Sequence, residues 1–121
     1  MPEYKIEIEI VKGNAGEPRP DGSWPDFCKE GICAWMYGRL QVGQKFTYPD
    51  DLAEMCPWLM DSLGGMIRVL EYGGTLPWRY AGTEFEKVQD PNGVTTEYVR
   101  CPDPTAAGIV VKIIRTALPE D

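Results

Sequence analysis

The chain of 121 residues contains no histidine. That absence removes the imidazole most triads use as a general base, together with the commonest nitrogen ligand for a metal. The G-x-G-x-x-G and G-x-x-x-x-G-K-[ST] patterns are also missing, so neither a dinucleotide fingerprint nor a P-loop is written in the chain. Positive charge is scarce: twelve Lys and Arg stand against nineteen Asp and Glu, a formal net charge of −7, and the basic residues are scattered. A phosphate backbone would be repelled, and no nucleic-acid partner is expected. No apolar run reaches the ~18–20 residues of a spanning helix, because Gly64, Gly65 and Arg68 interrupt the longest candidate; no membrane partner is expected either. The first ten residues set acids among apolar residues, where a secretory signal starts basic and runs apolar, so a cytoplasmic location is expected.

What is present suffices for a core. Hydrophobic residues make up 43% of the chain, with four Trp, three Phe and six Tyr, and no composition break divides it. A single domain over residues 1–121 follows. Tyr4, Ile6, Ile8 and Ile10 alternate with Lys5, Glu7 and Glu9, the period of a half-buried strand. Residues 13–31 concentrate Gly, Pro, Asn and Asp and read as a long ordered loop, with Trp24 and Phe27 available to pin it to the core. A short strand over 43–48 is followed by Pro49-Asp50-Asp51, which can open a helical turn through Met55.

Leu59, Leu63, Met66, Ile67 and Leu70 then follow a helical spacing with Pro57 at the first position. Gly64 and Gly65 each cost this helix about 1 kcal/mol relative to Ala, so either something presses closely there or the helix breaks. Gly73-Gly74 ends it. Strands over 94–101 and 109–117 complete the order. The expected architecture is α+β: a small, mostly antiparallel sheet with one main helix packed on a face.

Chemistry rests on Cys28, Cys33, Cys56 and Cys101 and on scattered carboxylates. Only Cys28 and Cys33 are close in sequence, so the two short-spaced pairs of a four-cysteine zinc site are not present, and ordinary buried thiols are the plain alternative. Cys56 directly precedes Pro57, where the helix dipole would favour a thiolate. Cys101-Pro102-Asp103 is a second Cys-Pro step, and pairing of the last two strands is expected to bring it to Cys56, with Gly73, Gly74 and Trp78 nearby. The candidate catalytic residues are therefore Cys56, Cys101 and Asp103, and the candidate ligand-binding residues Gly73, Gly74, Trp78 and Arg68.

The segments Met55-Cys56-Pro57-Trp58, Gly73-Gly74-Thr-Leu-Pro77-Trp78 and Cys101-Pro102-Asp103-Pro104 resemble, as a set, a small prokaryotic family of uncharacterised proteins. The resemblance covers most of the chain after about Gly31. Val42-Gly43-Gln44 resembles that family's Val-Gly-Asp strand entry with Gln44 in place of the acid, and the family's upstream histidine is absent near Arg39 and Leu40. It implies membership and brings no activity with it.

The leading expectation is an accessory or binding module that assembles with itself or with a larger metabolic enzyme. A cysteine-dependent enzyme using Cys56 or Cys101, with Asp103 or Tyr72 moving protons, is the first alternative. Metal or iron–sulfur carriage by the cysteines is the second. No cofactor is specified.

Overall fold

The structure is a computed structural model that describes residues 3–102 and 109–119. Four antiparallel strands, β1 (Tyr4–Lys12), β2 (Lys45–Tyr48), β3 (Val94–Arg100) and β4 (Val110–Ala117), form one sheet in the order β2-β1-β4-β3. Two helices accompany them, α1 (Phe27–Glu30) and α2 (Pro57–Glu71), with a 3-10 turn at Leu52–Glu54. This is the α+β arrangement expected. None of the described helices is long and apolar enough to cross a membrane.

Pairing fixes which side chains share a face. Ile6 stands opposite Arg115, Ile8 opposite Ile113 and Phe46, and Ile10 opposite Val111, while Thr95, Glu97 and Val99 pair with Arg115, Ile113 and Val111. These residues all point to the side that α2 covers. The helix lies across β1 and β4 and buries Leu59, Leu63, Ile67 and Leu70 completely. Each such leucine or isoleucine contributes roughly 1.5–3 kcal/mol by leaving water.

α2 begins at Pro57, whose missing N–H falls where the helix has no acceptor to offer. It ends in a Schellman motif: Gly74 N donates to Val69 O at 2.9 Å and Gly73 N to Leu70 O at 3.0 Å, with Gly73 at φ +82°. A Cβ on Gly74 would lie 2.9 Å from Val69 Cγ1, so this glycine is required by the close return of the chain.

Gly64 and Gly65 behave otherwise than the sequence suggests. The helix runs unbroken through them, and a Cβ at either position would meet nothing within 4 Å. Their cost is therefore not compensated within the chain. Gly64→Ala and Gly65→Ala are each expected to stabilise the fold by about 0.5–1 kcal/mol, a rise that urea denaturation would register as a higher midpoint at unchanged slope.

The 13–31 segment is less of a loop than its composition indicates. Asp26 caps α1 by accepting from Lys29 N at 3.2 Å, Glu30 Oε2 accepts from Asp26 N at 2.6 Å, and Gly31 closes the turn at φ +66°. Upstream, the Ser23 N–H and hydroxyl hold the Asp21 carboxyl below the usual carboxylate range. Trp24 does not pin the segment to the core. It is 73% exposed and leans on Phe27 and Tyr37 instead, with ring centroids 6.3 and 5.6 Å away.

Candidate functional site

The two ends of α2 define two different environments. At its start, the 48–55 corner and the helix face one another across an open cleft of about 480 Å³, lined by Trp35, Tyr48, Leu52, Met55, Met60 and Asp61 among others. Gly64 forms part of the wall, and its missing side chain keeps the space clear. Trp35 and Ala53 also line a neighbouring cleft of about 340 Å³, which shares Arg39 and Leu40 with a third of about 300 Å³. Three hollows with common walls thus run from Gly16 past Trp35 to Gly64.

Trp35 is fixed at the junction. Its Nε1 donates to Glu54 O at 3.1 Å, and the Arg39 guanidinium lies 5.0 Å from its ring centroid. The 48–55 corner carries Asp50, Asp51 and Glu54 and no basic residue, with Asp61 on the opposite wall. The Asp51 carboxylate is held by Thr47 N at 2.8 Å, while Asp50, Glu54 and Asp61 are exposed.

At the far end of α2 the inner face of the sheet carries charge. Arg115 is 1% exposed and donates through Nη1 to Leu70 O at 3.0 Å and Gly74 O at 2.8 Å, and through Nη2 to Thr95 Oγ1 at 3.2 Å. Its guanidinium also lies 4.5 Å from the Tyr4 ring centroid. A cation thus sits at the negative end of the helix dipole and satisfies carbonyls that the helix cannot. Beside it, Glu97 is wholly buried and its Oε2 accepts from Lys87 Nζ at 2.6 Å. Lys87 Nζ donates as well to Leu76 O, which ties the 73–88 segment to β3. Glu97 Oε1 and Trp78 Nε1 are buried without a hydrogen-bond partner among the described residues.

The expected site residues divide between these environments. Cys56 is half-buried at the start of α2, and Gly73 and Gly74 follow its end, so 15 helical residues, about 22 Å at 1.5 Å per residue, separate them. They do not share one rim, because the helix between them is continuous. Cys101 is buried at the end of β3, where its N donates to Ile109 O at 2.7 Å. Asp103 lies outside the described residues. Gly73 and Gly74 form the helix cap, Arg68 is exposed on the outer side of α2, and Trp78 lies in the tethered segment. Among the described residues no three Cys, Asp or Glu side chains gather closely enough to hold a metal ion.

Lys87, Glu97 and Arg115 do not stand out in the sequence as site residues. Two of them carry a signal nonetheless, because Glu97 falls in phase with Val99, and Arg115 with Val111 and Ile113, on strands of period two. Lys87 lies in irregular chain, where no period marks it. Comparison with protein-family models, with curated proteins and with solved structures finds no match for this chain.

Proposed function

We propose that this chain is a binding module that docks a short segment of a larger protein in the groove between α2 and the 48–55 corner. The observation that carries the reading is the run of three hollows with shared walls, kept open at one end by Gly64. An elongated, open groove suits a strand of polypeptide better than a compact small molecule, which is normally enclosed on most sides. Apolar walls at Leu52, Met55 and Met60 select an aliphatic side chain. Glu54 and Asp61 in the walls, on a chain of net charge −7, select lysine or arginine beside it.

A labelled peptide carrying one leucine between two pairs of lysines tests this by fluorescence anisotropy against its glutamate counterpart. The lysine peptide is expected to bind, to weaken as salt rises, and to lose about tenfold or more in affinity with Gly64→Leu, which fills the wall. Failure of the lysine peptide to bind, equal binding of both peptides, or affinity untouched by Gly64→Leu would each overturn the reading.

A further inference from the structure

Gly64 opens onto the groove, but Gly65 does not. At 100° per residue the positions 58, 61, 65, 68, 69 and 72 fall within about 120° of one another, on the side of α2 opposite its buried leucines. All six are exposed, and the large ones markedly so: Trp58 is 50% and Tyr72 79% accessible. Nothing in the described chain covers this face. Gly65 lies near its middle, with Trp58 seven residues before it and Tyr72 seven after.

Charge along the same face is arranged to match itself in reverse. Asp61 and Arg68 are seven residues apart, too far to pair along one helix, where only neighbours three or four residues apart meet. Among the described residues neither has an ion-pair partner. Turning a second copy of the helix end for end about an axis near Gly64-Gly65 sets Asp61 against Arg68 of the other copy, twice by symmetry. The same rotation brings Trp58 alongside Tyr72, one residue out of register and within reach of two large rings. At the crossing itself stands a residue without a side chain, so the two backbones can approach closely.

We infer that α2 is a self-pairing surface: two copies of this chain associate through an antiparallel, two-fold α2–α2 contact whose axis passes at the level of Gly64-Gly65, with Gly65 at the crossing, Asp61 opposite Arg68 and Trp58 alongside Tyr72. An isologous contact of this kind closes on itself and yields a dimer, not a chain of subunits. The contact shares Asp61 with the groove wall, but Gly65 and Tyr72 lie outside that wall and Gly64 forms no part of the exposed stripe, so Gly64→Leu and Gly65→Leu tell the two surfaces apart.

Sedimentation equilibrium over a range of concentrations decides the point. The wild-type chain is expected to show twice its 13.6 kDa mass at high concentration and to dissociate on dilution. Asp61→Arg and Arg68→Asp should each raise the dissociation constant by about tenfold or more, since each sets like charges together twice, whereas Asp61→Arg combined with Arg68→Asp should restore the dimer. Gly65→Leu, checked for native far-UV circular dichroism, should give a monomer by obstructing the crossing. A wild-type chain monomeric at millimolar concentration would overturn the inference. So would a dimer indifferent to Gly65→Leu, or a double reversal that stays as weak as the single ones. Loss of peptide binding by Gly64→Leu with the dimer intact leaves this inference standing, and the converse result leaves the groove standing.

Discussion

Arg115→Leu is expected to remove about 3 kcal/mol of folding free energy, a large part of what a domain of this size has in total. Two opposing effects decide the sign. Leucine relieves the cost of keeping a guanidinium out of water, which here has no carboxylate partner among the described residues. Against this, Gly74 O loses its buried donor, Leu70 O loses one of its donors and Thr95 Oγ1 loses another. An orphaned buried carbonyl costs about 1–3 kcal/mol, and hydrogen bonds to a charged group contribute about 1.5–3 kcal/mol, so the losses prevail. Loss of the charge at the helix terminus adds to them. Thermal unfolding should fall by about 10 °C. Arg115→Lys is expected to recover only part, because an ammonium cannot fork between Nη1 and Nη2 partners. A thermal midpoint unchanged in Arg115→Leu would show that the cap carries no weight.

The Lys87–Glu97 pair should behave differently, with its two single substitutions worse than its double. Lys87→Met leaves a carboxylate buried with both oxygens unpartnered, and Glu97→Leu leaves an ammonium holding only Leu76 O. Breaking a buried pair from one side costs about 3–5 kcal/mol, whereas exchanging both members for apolar groups of similar volume is often neutral or favourable. Lys87→Met combined with Glu97→Leu should therefore stand within about 1 kcal/mol of the wild type or above it. Urea unfolding of the four proteins closes the cycle, and a double variant as unstable as the sum of the singles would refute the argument. The orphan Glu97 Oε1 makes the outcome sharper, since removing the carboxylate also removes an unmet acceptor.

Much of the fold is legible in the sequence, for reasons particular residues make plain. The alternation of Tyr4, Ile6, Ile8 and Ile10 marks β1, and Leu59, Leu63, Ile67 and Leu70 mark α2 between Pro57 and Gly73. The same period-two rule places Glu97 and Arg115 on the inner face, but charged residues are so rarely buried that their type outweighs their phase. The groove is not legible, because its walls come from residues near 35–40, 48–55 and 57–64, which converge only once the sheet and helix pack. Gly64 and Gly65 read as costly from their type alone. Their reason stays hidden because it is empty space, which no residue type announces. The grouping of Cys56 with Gly73 and Gly74 is avoidable from sequence alone, since a helix of that length holds its ends apart.

The strand order has a consequence for the order of events during synthesis. Among the described strands β1 and β3 are joined only through β4, which leaves the ribosome after both of them. Until it does, the nascent chain holds two unjoined pieces, the β1–β2 pair and β3, each with an open edge. β4 slots between them, pairing Ile6 with Arg115 and Glu97 with Ile113, and brings the guanidinium that closes α2, 45 residues upstream. The β1–β4 pairings are the distant ones and form late, because a long loop must close before any contact rewards it. The sheet therefore has a keystone, set only after the other three strands have been made.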